Sequence, residues 1–391
     1  MKKYKFAFPL NYFTSWMGGS TLLSILTNSI NQSCQNIFTN IEPILILDIT
    51  GTNIQIPESG YLCINKNAIS VTGSLNEFLK ISKYENIYLY NDIFKFIHNF
   101  NIDLIGPSHH DLGDSFPIPW CAYLPDFQHR HFPGNFSIDE INNRNQLFTN
   151  ILKNSNLTFI NSLSVKDDIN RFYTKHEINS KIIKLPEMRI STSYNFNYIE
   201  LSNLLDIKND YFIVCSQQWI HKKHDVVISA FKDFLDKSNS KYQLIFTGEG
   251  HDYRNPNYKN EISSLINSLH LTDIVKYIGL IDKDKQLCLI DNSTALIQAS
   301  VIEGGPGASG VIEAAGLDTT IVASSIKANI EMPYGHHHFF ETNSVKSLSD
   351  CLLLVAKNKN NRIKNKLSAI EIDSVNYSVG IQILRTLISL L

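Results

Sequence analysis

Two stretches in the second half of the chain gather residue types able to hold a phosphate-bearing polyol. In SQQWIHKKHDVVI, Lys222 and Lys223 stand directly before an apolar-periodic run. Two cations thus arrive at the amino end of a helix whose free amides already favour an anion. A diphosphate fits such a place; a pair of solvated loop lysines is the plain alternative. In ASVIEGGPGASGVIEAAG, four glycines (Gly304, Gly305, Gly307, Gly310) fall within seven residues and open onto a helix expected to begin near Val311. Glycines let the backbone approach a ligand closely and turn its amides inward. Glu303 marks the entrance of this loop and Glu313 the expected first helical turn. Carboxylates only accept hydrogen bonds, which suits polyol hydroxyls. Equally, Glu313 complements a helix dipole, worth about 0.3–1 kcal/mol.

The first half offers two weaker groups. Gly18 and Gly19 follow a first strand and precede Leu22, Leu23, Ile25 and Leu26, an arrangement that either admits a phosphate or makes a plain tight turn. PDFQHRHFPGNFS places Asp126, Gln128, His129, Arg130 and His131 after a strand ending at Leu124, and carboxyl ends of parallel strands are where such sheets bind ligands. A loop histidine more often satisfies local hydrogen bonds. Two metal-like patterns are discounted, so no metal site is expected. Asp282 and Asp284 read as the charged start of a helix. His336, His337 and His338 are consecutive and lack the i, i+4 spacing that lets two histidines converge on a metal.

Short β-rich runs must position these groups. Tyr211–Cys215, Gln243–Thr247, Val275–Ile278, Ala295–Gln298 and Thr320–Ala323 alternate with helical patterns, the βαβ rhythm of a doubly wound parallel sheet. Val227, Ala230, Phe231 and Phe234 make one apolar helix stripe, and a second helix is expected over Asn257–Leu269. The first half repeats the rhythm at Lys5–Phe8, Ile44–Leu47, Ile87–Leu89, Ile102–Ile105, Trp120–Leu124, Leu157–Ile160 and Ile182–Leu185. Ser137 with Glu140 forms a capping box that predicts a helix toward Leu152. Polar, weakly periodic Pro186–Lys208 reads as an interdomain linker. SVNYSVGIQILRTLISLL, from Ser374, reads as a last amphipathic helix.

At 391 residues the chain suits two α/β domains. With 35 Lys and Arg against 37 Asp and Glu, a formal charge of −2 leaves no overall footprint for nucleic acid. Six scattered cysteines without a CxxC pair favour a reducing cytoplasm. MKKYKFAFPLNYFTSW is interrupted by Pro9 and Asn11 and reads as a first core strand rather than a leader. No apolar run approaches the length of a bilayer span, so any membrane contact is expected to be peripheral.

Taken together, WMGGSTLLSIL, IPWCAYLPDFQHRHFPGNFS, FIVCSQQWIHKKHDVVISAF, LIFTGEGHDYRN, IVKYIGLIDKDKQLCLIDNSTALIQASVIEGGPGASGVIEAAG and TTIVASSI resemble glycosyltransferase family 4, the group 1 glycosyltransferases. The resemblance implies the GT-B architecture, an α/β fold of two facing Rossmann-like domains with parallel sheets and a cleft between them. It implies an acceptor-binding domain over 1–195, a nucleotide-sugar-binding domain over 205–373, and a helix over 374–391 that crosses back onto the first. Residues of the matching segments then acquire roles. Lys222 contacts the donor diphosphate, Glu303 lies near the transferred sugar and Glu313 holds the ribose. Gly18, Gly19, Gln217, Gly248, Gly304, Gly305 and Gly307 line the donor, while Asp126 and His129 orient hydroxyls from the first domain.

The implied activity is a retaining, metal-independent transfer of a hexose from a nucleotide-diphosphate sugar to an acceptor hydroxyl. No cofactor is expected beyond that donor. The acceptor is expected to be a surface polysaccharide or lipid-linked glycan, and the location the cytoplasm or the inner face of its membrane. The chain departs from the family in three places: Glu303 and Glu313 enclose nine residues, two more than usual; Gln217 replaces an arginine; and Pro125 replaces a histidine. These departures keep open a catalytically inactive binding partner, beside a nucleotide-sugar epimerase of the same architecture.

Overall fold

The computed structural model describes residues 2–13, 17–306, 309–359 and 364–391. The chain divides into two compact units, one of Met1–Pro125, Ile138–Arg189 and Asp373–Leu391, the other of Asp126–Ser137 and Ile190–Ile372.

The first unit is built on β1 (Tyr4–Pro9), β2 (Ile41–Asp48), β3 (Leu62–Asn65), β4 (Asn86–Tyr90), β5 (Leu104–Ser108), β6 (Trp120–Leu124), β7 (Leu157–Ile160) and β8 (Lys181–Lys184). Their order is β3-β4-β2-β1-β5-β6-β7-β8. Every pairing is parallel except β3 with β4. β5, β6 and β7 are buried along their whole length, as strands covered on both faces must be. β3, absent from the expected strands, is a four-residue edge strand alternating half-buried and exposed residues, too short to stand out from a loop.

Ala369–Ile388 forms the last helix, starting five residues earlier than expected. Val379, Ile383, Leu384 and Leu387 lie in the core of the first unit. Where this helix meets the helix Met17–Asn36, Ser33 Oγ donates to the Tyr377 carbonyl at 3.1 Å. A Cβ added at Gly380 would lie 2.1 Å from the Ser29 carbonyl oxygen, so only glycine permits this approach.

The second unit contains β9 (Asp210–Cys215), β10 (Tyr242–Thr247), β11 (Val275–Gly279), β12 (Ala295–Gln298), β13 (Ile321–Ser324) and β14 (His337–Phe340). All are parallel, in the order β11-β10-β9-β12-β13-β14. The helix His224–Ser238 buries Val227, Ala230, Phe231 and Phe234 against the sheet. β14 absorbs two of the three consecutive histidines; neighbouring strand residues point to opposite faces, and His337 Nε2 bonds the Tyr334 carbonyl at 2.7 Å. Within the stretch expected as linker, Tyr198–Leu204 is helical.

Candidate functional site

β9 and β12 are neighbours in the sheet, and the strand order reverses between them. Connections leave in opposite directions there, so the loops beyond the carboxyl ends open a crevice where such sheets hold ligands. The loop after β9 ends in a short turn, Ile220–Lys222, and Val301 N, in the loop after β12, donates to the His221 carbonyl at 3.0 Å. This contact brings Lys222 Nζ within 2.5 Å of Glu303 Oε1, with side chains only 11% and 12% exposed. Gln298 Nε2 donates to the same carboxylate oxygen at 2.9 Å. Asn329 Nδ2 donates to Gln298 Oε1 at 2.7 Å and to the Ser324 carbonyl at 2.9 Å, and Ser324 Oγ donates to the Ser300 carbonyl at 2.5 Å. The carboxylate is therefore held by a cation and by a buried polar chain rooted in β12 and β13. That chain supplies the pairing and hydrogen bonds a nearly buried charge requires.

Lys223 adopts φ 55° and leads directly into the helix His224–Ser238, while its Nζ pairs with Asp225 at 2.9 Å. His224 is fully buried between Ser216 Oγ at 2.9 Å and the Tyr277 hydroxyl at 3.2 Å. Burial, helped by the charge of Lys222, pushes its pKa down to about 3. His221 is driven well below the usual histidine range by burial, then by Lys222 and Arg254. Both rings are neutral near pH 7, which leaves the lysine as the cation of this turn.

Glu313 sits in the second turn of the helix Ser309–Gly316 rather than the first, because the helix begins two residues before Val311. Its side chain is fully buried. Oε1 faces Lys283 Nζ at 2.6 Å, and Oε2 has no hydrogen-bond partner among the described residues. A Cβ at Gly310 would sit 3.0 Å from Cys215 Cβ, so this glycine lets the helix pack closely on β9. Gly304 and Gly305 are half-buried beyond Glu303, and Gly307 lies outside the described residues. Gly248 has φ 123°, and a Cβ there would lie 2.5 Å from the Ser216 carbonyl oxygen, so the β10 turn requires glycine to pass the β9 loop. Gln217 is half-buried in that loop, its carbonyl accepting from Trp219 N at 2.8 Å.

Other expected residues are placed differently. Gly18 and Gly19 lie inside the first turn of the helix Met17–Asn36, in the first unit, not in a loop before it. Asp126 and His129, expected in the first domain, group with the second unit. The reason is contact within their segment's surroundings, where Phe136 lies 5.0 Å from the Arg254 guanidinium. Asp126 accepts from Gln128 N at 3.0 Å and Gln128 Nε2 at 3.2 Å, just ahead of the short helix Gln128–His131. His129 is buried beside Phe127 and Phe136. Asp282 precedes the helix Lys283–Asn292 as its N-cap residue. Sequence reasoning missed Gln298, Asn329, Asp252, Arg254 and Lys283. Only Arg254 carried a signal, as a cation just after a Gly-Glu-Gly turn.

Residues 200–369 match the family model described as glycosyl transferases group 1. No curated protein matches the chain by sequence. Among solved structures, Anabaena HepE in complex with UDP and glucose superposes with TM-score 0.66 at 14% identity, covering 99% of this chain and 100% of that one. A glycosyltransferase from Rickettsia africae gives 0.62 at 16%, covering 98% and 94%. Sucrose-phosphate synthase from Thermosynechococcus elongatus gives 0.64 at 11%, covering 98% of both. The chain thus shares the GT-B fold of these structures, and its residues 200–369 match the glycosyl transferases group 1 model.

Proposed function

We propose that the protein is a retaining glycosyltransferase of family 4 that moves a hexose from a nucleotide-diphosphate sugar to an acceptor hydroxyl. The observation that carries this reading is the nearly buried Lys222–Glu303 pair at the point of strand reversal. Glu313 supports it with a second buried carboxylate that has one oxygen unbonded among the described residues. Similarity to HepE, solved with UDP and glucose, supports a nucleotide-sugar donor.

Cleaving the bond between sugar and diphosphate leaves negative charge on the phosphates. Lys222 and the amides of the glycine-rich turn stabilise it in place of a metal. A diphosphate competing for Lys222 frees Glu303 to accept from the sugar hydroxyls, and Glu313 Oε2 accepts from the ribose. In a front-face reaction the acceptor oxygen forms the new bond on the face the phosphate leaves. A phosphate oxygen takes the acceptor proton, so configuration is retained. We assign acceptor recognition to the first unit, and to Asp126 and His129, which lie in the second unit, the binding of sugar hydroxyls. The acceptor class we favour is a surface polysaccharide or lipid-linked glycan, met at the inner face of the cytoplasmic membrane. Among the described residues no helix is long and apolar enough to cross a membrane.

Calorimetric titration of UDP, GDP, ADP and their sugars against wild type, Lys222→Ala and Glu313→Ala tests the donor site. One nucleotide family should bind wild type and weaken in both variants. A folded wild-type protein that binds none of them would overturn the reading. Turnover of the bound sugar nucleotide, with the anomeric configuration of the product read by NMR, separates a retaining transferase from an inactive partner.

A further inference from the structure

Arg254 has an environment that its own neighbours do not complete. Its side chain is 5% exposed. The guanidinium lies 4.7 Å from the Trp219 ring and 5.0 Å from the Phe136 ring, so aromatic faces rather than water surround it. Its Nε pairs with Asp252 Oδ1 at a long 3.3 Å, and Nη2 has no acceptor among the described residues. Asp252 is shared widely: it also accepts from Arg254 N, from Ile220 N and from Asn255 Nδ2. A buried guanidinium donor without an acceptor is costly, which calls for an anionic ligand or another acceptor at that edge.

The location says which anion. Ile220, bonded to Asp252, opens the turn that carries Lys222. Trp219, under the guanidinium, is three residues before Lys222 and two after the uncharged Gln217. Buried His221, next to Lys222, lies within electrostatic reach of both Lys222 and Arg254, and its Nδ1 also lacks a partner among the described residues. Arg254 therefore brings a second cation, from the β10 side, to the loop that carries Lys222.

We propose that Arg254 is a phosphate-binding residue of the donor site, supplying the second cation for a nucleoside diphosphate beside Lys222. The proposal rests on the donor-site reading above. Charge-assisted hydrogen bonds of this kind are worth roughly ten- to a hundredfold in affinity.

The test compares UDP, GDP and ADP with their monophosphates by calorimetry on the full chain, using wild type, Arg254→Lys, Arg254→Gln and Arg254→Gln with Gln217→Arg. Arg254→Gln should weaken the diphosphate about ten- to a hundredfold and the monophosphate less, collapsing the preference between them. Adding Gln217→Arg should restore it. A structural role alone would not shift that ratio. An unchanged ratio in folded Arg254→Gln overturns the proposal and leaves the donor site standing. Should Arg254→Gln not fold, Arg254→Lys, which keeps charge and stem but loses the planar fork, gives the same reading with a several-fold drop expected and an unchanged ratio again overturning it. Absence of any nucleotide binding to wild type sinks both readings together.

Discussion

Both units reverse strand order beside their first strand, β1 lying between β2 and β5 and β9 between β10 and β12, yet different side chains stand at the two places. Beyond β1 and β5, the Tyr12 ring meets the His110 ring edge-on at 4.7 Å. Asn11 clasps the backbone of Asp48 there with two bonds, at 2.7 and 2.9 Å. Burial lowers the pKa of His110, which keeps that corner aromatic and neutral apart from Asp48. Beyond β9 and β12, Lys222 and Glu303 are paired and nearly buried. Buried polarity also differs in use. In the helix Met17–Asn36, Thr27 and Ser29 hydroxyls return to carbonyls one turn earlier. In the second unit the buried amides of Gln298 and Asn329 instead support a carboxylate. The lesson is that winding chooses where a ligand can sit, while side chains choose its chemistry.

The largest expected effect is on packing in the first unit. Gly380→Ala places a methyl where the Ser29 carbonyl stands and should cost about 3 kcal/mol or more of stability. Denaturant melts should show this loss, with nucleotide affinity of the still-folded protein unchanged; a selective loss of affinity would blur the contrast between the units. Next, Lys222→Ala should lower sugar transfer roughly 100- to 1,000-fold. Because that variant leaves Glu303 unpaired, Lys222→Ala with Glu303→Gln is the control: its melting temperature should stay near wild type while transfer stays low.

A further effect is absent at neutral pH and appears only in acid. The folded pKa of His224 is about 3, below the unfolded value of about 6.5. Between these values the unfolded chain binds the extra proton, so stability falls as pH drops from about 6.5 toward 3, by up to roughly 1.4 kcal/mol per pH unit. His221, shifted in the same direction, adds to the slope. Melting temperature against pH should fall less steeply in His224→Gln than in wild type; parallel curves would rule this histidine out as a source. The smallest expected effect sharpens the contrast directly. Tyr12→Ala and His110→Ala should change nucleotide affinity by less than about twofold while raising KM for the acceptor, since a neutral aromatic corner suits sugar rings better than phosphates.

Much of this architecture was legible from local pattern. Strands β6, β7 and β12 have the bounds their apolar runs announce, and the stripe of the helix His224–Ser238 is buried as its spacing requires, because period and burial are local properties of the chain. β3 and β14 escaped notice for the opposite reason: one is a four-residue edge and the other begins with histidines, so partner strands rather than their own pattern make them strands.

The candidate site divides the same way. Residue type and loop position were enough to single out Lys222, Glu303 and Glu313, because glycine runs and cations after strands carry their chemistry on their face. Only the tertiary structure decided that Lys222 and Glu303, 81 positions apart, meet, that Gln298 and Asn329 stand behind the carboxylate, and that Asp126 and His129 group with the second unit. It also placed Arg254 against Trp219, beside the loop in which Gln217 stands. Pairings of this kind depend on sheet order and on the close passage of loops, which no window of sequence contains.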